Sequence, residues 1–272
     1  VTRREFAALS AAALAPAQPA WALGPFTRPA NAQPVIRPSP DSTFDCPMRG
    51  TSVHWEKLHT FNPAAVVKDG RVHLLYRAED DSGQMQIGGH TSRLGLAVSD
   101  DGFHFTRRPA PVLFPADDGQ RAVEWTGGCE DPRLAERPDG TYIVTYTQYS
   151  GRRFQLGLAS SEDLVTWTKH GSPFAGTKHD NWSIKSAAIV HKLRYGRLVA
   201  AEVQGRYCMY FGEQAVFLAT SEDLIHWKVV EGATGKPLQL MHPRPGFFDS
   251  ALTEIGPPGR PDKAGNRRHL QW

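Results

Sequence analysis

Apolar and polar positions alternate with a period of two through most of the chain. Val72, Leu74 and Tyr76 form one such set and Tyr142, Val144 and Tyr146 another, the spacing expected of β-strands. After the first thirty or so residues no useful length of helical periodicity appears. The alternating runs also recur. Residues 94–108 (LGLAVSDDGFHFTRR), 156–170 (LGLASSEDLVTWTKH) and 216–230 (VFLATSEDLIHWKVV) align without gaps. Ala97, Ala159 and Ala219 stand 62 and 60 residues apart, as do Phe105, Trp167 and Trp227. Upstream of each lies a second signature, at 62–80, 131–148 and 186–204, patterned as strand, polar Gly turn and strand. A period near 60 is too long for helical solenoids and suits four-stranded propeller blades with long connections. The prediction is an all-β fold.

The repeated residues themselves are architecture. Asp101, Asp163 and Asp223 close tight turns by accepting hydrogen bonds from nearby amides, and the aromatic a few positions on packs between blades. Chemistry belongs where the repeats differ.

The two ends depart from the pattern. Residues 1–32 open with Thr2-Arg3-Arg4-Glu5-Phe6, continue into the alanine-rich 7–15 and offer small-residue cleavage sites at 20–22 and 30–32. This resembles a twin-arginine export signal and predicts a periplasmic or extracellular protein. A Pro-rich linker is expected over 33–49, the catalytic propeller over 50–258, and a disordered or aberrant tail over 259–272. Two complete signatures define each of three blades, a fourth opens at Phe248, and no β alternation follows Pro258. The expectation is therefore an incomplete propeller, poorly stable and weakly active or inactive.

Composition narrows the field. The 272 residues carry a formal charge of +3, and 259–272 supplies all of it through Arg260, Lys263, Arg267 and Arg268 against Asp262. The remainder is neutral, so there is no electrostatic footprint for nucleic acid. No apolar run is long enough to span a membrane. Cys46, Cys129 and Cys208 are too few and scattered for a disulfide framework or a zinc site, and no metal or other cofactor is expected.

The irregular stretch Trp125-Thr126-Gly127-Gly128-Cys129-Glu130-Asp131-Pro132-Arg133-Leu134 enters the second blade. Its adjacent carboxylates and arginine present charge at a strand start. With Asn62-Pro63-Ala64-Ala65, Tyr76-Arg77-Ala78, Phe248-Asp249-Ser250 and Glu254-Ile255-Gly256-Pro257-Pro258, it resembles glycoside hydrolase family 130 from about residue 50 to 258. The resemblance implies a five-bladed propeller, a β-mannoside substrate and a proton donor at Asp131, with a sugar hydroxyl as an optional relay. It also implies sugar contacts at Asn62, Arg77, Glu130, Arg133 and Asp249. Glu130 beside Asp131 would raise its pKa while Arg133 would lower it, so the sign stays open.

The family holds both phosphorylases and inverting hydrolases. Phosphorolysis needs cations for inorganic phosphate as co-substrate. Lys185 matches a family lysine, but the family's two phosphate-binding arginines have no clear match. Hydrolysis needs a carboxylate across the ring, about 6.5–9.5 Å from the acid. Glu213 and Glu254 resemble the glutamate pair of the hydrolase branch, and Glu213 has no basic neighbour in sequence. The expectation is an exo-acting, inverting β-mannosidase, β-1,2 being one candidate linkage, with Asp131, Glu213 and Glu254 on one mouth. The alternatives are a β-mannoside phosphorylase and a non-catalytic carbohydrate-binding propeller. Linkage, aglycone and oligomeric state have no motif to read.

Overall fold

The computed structural model describes residues 27–28, 30, 32–83 and 89–256. Most of the expected export signal, and the whole 259–272 tail, lie outside them. The chain divides into Val1–Gln33 and Pro34–Trp272, and everything below concerns the second unit.

A short hairpin comes first, β1 (Phe44–Cys46) against β2 (Thr51–Val53). The expected linker over 33–49 therefore contains a strand. It is drawn into the fold because Cys46 is buried and Phe44 packs edge-on against Phe114. The first blade follows as an antiparallel meander of β3 (His59–Lys68), β4 (Arg71–Glu79), β5 (Ser92–Ser99) and β6 (Thr106–Arg107). A single helical turn, α1 (Arg121–Glu124), leads into the second blade. That blade is β7 (Gly128–Glu136), β8 (Tyr142–Tyr149), β9 (Phe154–Ser161) and β10 (Thr168–Gly171).

The third blade departs from the repeat. Its innermost strand β11 (Ala187–Ile189) is followed by a hairpin of β12 (His191–Arg194) and β13 (Arg197–Ala200). The sequence pattern made this hairpin the blade's own first pair. Instead β11 pairs with β15 (Arg206–Phe211), which a second hairpin from β14 (Glu202–Val203) delivers. Both turns, Tyr195-Gly196 and Gln204-Gly205, have positive φ at the two central residues, as type I′ hairpins require. Local turn chemistry could not distinguish them. β16 (Val216–Ser221) and β17 (Trp227–Val229) complete the blade, and β18 (Gln239–Met241) pairs back onto β16.

The blades pack face to face. One apolar cluster joins Val66, Leu75 and Leu94 of the first blade to Leu134, Val144 and Tyr146 of the second. Another joins Ile143 and Leu158 of the second to Ile189, Phe211 and Trp227 of the third. Residues 142–148 of β8 are consequently all buried. Its alternation sorts side chains between two neighbours rather than between core and water.

The predicted turns form in all three blades. Ser161 Oγ accepts from the amide of Leu164 at 2.8 Å, and Asp163 Oδ1 accepts from those of Val165 and Thr166 at 2.8 and 2.7 Å. Ser99–Asp101 and Ser221–Asp223 repeat the arrangement. Each turn contains a residue at left-handed φ: Gly102 in the first blade, Leu164 and Leu224 in the others. A leucine there costs roughly 1–2 kcal/mol. Full burial of both side chains offsets it, since apolar burial contributes about 1.5–3 kcal/mol each. The carbonyls of Leu164 and Leu224 also accept from the indoles of Trp167 and Trp227, each at 3.2 Å.

Candidate active site

Two bulges build the site. β3 and β4 are in register at Phe61↔Arg77 and again at Ala64↔Leu75, which leaves Asn62-Pro63 opposite one residue. β7 and β8 repeat this, with Asp131-Pro132 displaced between Glu130↔Thr147 and Arg133↔Thr145. Proline has no amide hydrogen to give the ladder, so it is accommodated at the bulge. The residue before it takes left-handed φ, 44° at Asn62 and 49° at Asp131, a conformation that Asn and Asp tolerate better than most side chains. Ser186, just before β11, has φ 60°. The three blades thus each carry a left-handed residue early in or just before the inner strand, with three different side chains.

A bulge also aims consecutive side chains the same way. Arg77 Nη1 donates to Asp131 Oδ1 at 3.0 Å, while Nη2 donates to Glu130 Oε1 at 2.9 Å and Glu79 Oε1 at 2.7 Å. Nε donates to Ser92 Oγ at 3.0 Å. Asn62 Nδ2 adds a bond to Asp131 Oδ1 at 2.7 Å, and His59 Nδ1 lies 2.9 Å from Glu79 Oε2. Arg77, Glu79, Glu130 and Asp131 are all buried. At Gly128 the backbone comes so close to Ser92 that a Cβ would lie 2.1 Å from its carbonyl oxygen. Glycine there lets the first and second blades meet through the Ser92↔Gly128 bridge.

The electrostatics separate the two neighbouring carboxyls. Burial pushes Asp131 up, but the Arg77 charge and the hydrogen bonds from Asn62 and Arg77 outweigh it and hold the group below the usual range. This resolves the sign left open in the sequence, with Arg77 rather than Arg133 as the responsible cation. Burial dominates at Glu130, with Asp131 and Glu79 adding repulsion against Arg77 and Lys185, and its pKa rises to about 7. Glu79 is lowered, because Arg77 and the bonds from His59, Arg77 and Ser92 overcome its burial.

The other predicted residues fall around this cluster. Asn62, Arg133 and Glu254 line one open cavity of about 540 Å³, so Glu254 faces the space beside Asp131's partner. Ser186 Oγ donates to Glu254. Lys185 is felt electrostatically at both Glu130 and Asp131 and lies 3.6 Å from Glu213. Glu213 therefore has a basic partner in space that its sequence neighbours did not reveal. Arg133 spends its guanidinium on the carbonyls of Asp131, Pro132, Ile255 and Gly256, tying β7 to the fourth signature. Asp249 pairs with Arg244 at 2.8 Å and lines a second cavity with Glu254. Sequence reasoning missed Glu79, Ser92 and His59. Glu79 stands two residues after Arg77 on β4, and that i, i+2 spacing of opposite charges was the available signal. Among the described residues, no group of three or more His, Cys, Asp or Glu is placed to hold a metal, and no helix is long and apolar enough to cross a membrane.

Comparison with known proteins follows the same geometry. A family model described as β-1,4-mannooligosaccharide phosphorylase, that of glycoside hydrolase family 130, matches residues 27–266. A 1,2-β-oligomannan phosphorylase of Thermoanaerobacter sp. (strain X514) is 32% identical over 216 residues, which is 78% of this chain and 63% of that protein. The chain thus spans under two thirds of that curated relative. A solved structure from work on glycoside hydrolases, within the family of mannoside phosphorylases, that target β-1,2 mannosidic linkages in Candida mannan superposes with TM-score 0.88 and 47% identity. It covers 91% of this chain and 70% of the other. A glycosyl hydrolase from Bacteroides ovatus gives TM-score 0.87 and 47% identity, covering 90% and 69%. With a family match over most of its length, and the Asp131 bulge and its Arg77 clamp inside the matched region, this chain belongs to glycoside hydrolase family 130.

Proposed function

We propose that this chain cleaves β-mannosidic bonds with inversion, Asp131 protonating the leaving oxygen. The observation that carries the reading is the clamp on Asp131. A strand bulge sets one buried carboxyl against Asn62, which lines the cavity, and Arg77 and Asn62 fix it through a single oxygen. Oδ2 is left for a substrate hydroxyl or the glycosidic oxygen. A carboxyl positioned in this way supplies general-acid catalysis worth roughly 10²–10⁴-fold once it receives a proton.

The attacking group has two candidates, each supported by its own observation. Inorganic phosphate is favoured by the description of the family model and by the curated relative, both phosphorylases, and on those names it stands ahead of the hydrolysis expected from the sequence. Water is favoured by charge. Arg77 already serves three carboxylates, Lys185 faces Glu213, and Arg133 serves four carbonyls, which leaves little positive potential for a dianion among the described residues of the site. Glu213 or Glu254 would then take the proton of the attacking water. The discriminating experiment incubates the protein with β-1,2-mannobiose, with and without phosphate. Phosphorolysis yields mannose 1-phosphate only when phosphate is present. Hydrolysis yields two mannoses regardless. Failure to cleave any β-mannoside under either condition would remove the reading.

A further inference from the structure

Three carboxylates crowd one guanidinium. Glu79 and Glu130 both take their bond from Arg77 Nη2 and Asp131 takes its from Nη1, so oxygens of two consecutive residues sit on neighbouring nitrogens of a planar group. Side chains of those four residues are no more than 10% exposed. Three full negative charges around one positive charge, away from water, are costly, and removing one by protonation relieves the cluster. We infer that Glu130 and Asp131 share one exchangeable proton across Arg77, with Glu130 its resting holder and Asp131 the group that hands it on. This rests on the proposed cleavage of β-mannosides and deepens it.

The charged surroundings decide which carboxyl rests protonated. Asp131 has the better anion site, with bonds from Asn62 and Arg77. Glu79 is stabilised as an anion by Arg77, Ser92 and His59. Glu130 has only a shared bond to Arg77 and a long 3.4 Å contact from Ser92. Lys185 acts on both members of the pair, with Glu213 opposing it. Consistent with this, burial and its two acidic neighbours bring Glu130 to about 7.

The proton account balances. Glu130 loses its proton as Asp131 gains one, through a sugar hydroxyl or water between them. Asp131 then gives that proton to the leaving oxygen as its bond to the anomeric carbon breaks and the attacking oxygen of phosphate or water forms the new bond on the opposite face, which leaves both carboxylates ionised. Solvent returns a proton to Glu130 before the next cycle. Because the pair titrates as a unit, the acid seen in kinetics belongs to the pair.

The test reads the proton directly, independent of turnover. Infrared titration of the whole chain should show a protonated-carboxyl band that disappears with a midpoint near pH 7, and Glu130→Gln should abolish it. Glu79→Gln removes one negative neighbour but leaves the pair, and should move the midpoint at least half a pH unit down. A band that survives Glu130→Gln with its midpoint unchanged overturns the inference, as does a midpoint indifferent to Glu79→Gln. In turnover, the basic limb of kcat/KM for a mannose disaccharide should move down by more than one pH unit in Glu130→Gln. Cleavage of an aryl mannoside with an activated leaving group, which needs less protonation, should lose less than cleavage of the disaccharide. Equal loss on both substrates with an unmoved limb would make Glu130 merely structural. A wild-type protein that cleaves no β-mannoside but shows the band would sink the function and leave the shared proton standing.

Discussion

The outer turns and the inner strand starts of this protein are both threefold features, and they have diverged in opposite ways. At the outer turns the side chains recur: Ser99, Ser161 and Ser221 with Asp101, Asp163 and Asp223, each in the same bonds to the same amides. At the inner starts the backbone recurs, with left-handed φ at Asn62, Asp131 and Ser186, but the side chain changes from donor to acid to hydroxyl. A turn satisfied by its own residues has no use for variety. A shared axial space does, because side chains from different blades meet there: Asn62 reaches Asp131 across blades, and Ser186 reaches Glu254. Repetition marks what holds the fold, and variation on a repeated backbone marks the proposed substrate site.

Substitutions at the inner positions should break this contrast most severely. Arg77→Met strips the partner from three buried carboxylates, and losing one side of a buried ion pair costs about 3–5 kcal/mol. Urea denaturation at pH 7 should register a loss of that size together with loss of cleavage. A change below about 1 kcal/mol would mean that the carboxylates find water or another cation. Asp131→Asn acts more on chemistry than on the fold. Asparagine tolerates the same left-handed φ and keeps an oxygen that can accept from Arg77 and Asn62, so the melting temperature should fall far less than in Arg77→Met while kcat falls by roughly 10²–10⁴-fold. An Asp131→Asn variant retaining more than a tenth of the activity would remove Asp131 as the acid. Asn62→Ala lies one step further out. It deletes a single hydrogen bond to a charged group, worth about 1.5–3 kcal/mol, and lets the Asp131 carboxyl pKa rise. The basic limb of the pH–rate profile should then move upward, and an unmoved limb would assign Asn62 to substrate contact alone.

The same contrast explains what was legible in the sequence. The outer turns were readable to the residue, because a Ser-x-Asp turn is closed by atoms within five positions and its pattern is printed three times. The strand alternation of β4 and β8 was readable for a similar reason. The clamp was not. Arg77 and Asp131 lie 54 positions apart, and only the blade packing and the two bulges bring them together. The proline after Asn62 and Asp131 was visible, but nothing local says that it marks a bulge rather than a strand start. The third blade misled for a related reason, since two type I′ turns of equal local quality competed for the pairing with β11. Family resemblance pointed to Asp131, Arg77 and Asn62 as site residues. It carried no information on Glu79, whose bonds run to Arg77, Ser92 and His59.

The smallest effect belongs to the outer turns, and its pH dependence is the sharpest way to tell them from the inner site. Asp163 is pushed up by its modest burial, but the amides of Thr166 and Val165 and the Ser161 hydroxyl outweigh this and hold its pKa below the ordinary value. A carboxylate lowered on folding adds stability that is fully present above its unfolded pKa, near 3.9. That stability is lost as pH falls through the lower folded value. Asp163→Ala should therefore cost about 1 kcal/mol at pH 7, the scale of a lost side-chain cap. The difference from wild type should shrink steadily below about pH 4, while activity on mannosides stays within twofold. Glu130 has the opposite sign. Its raised pKa makes the folded state hold a proton that the unfolded chain has released, so its contribution is present below about 4.3 and is lost as pH rises through about 7. Melting curves of Asp163→Ala and Glu130→Gln should accordingly diverge from wild type in different windows, the first as pH rises toward about 4 and the second as pH rises from about 4 to about 7. Curves that diverge in the same window would show that turn and clamp do not differ in the way their hydrogen bonds indicate.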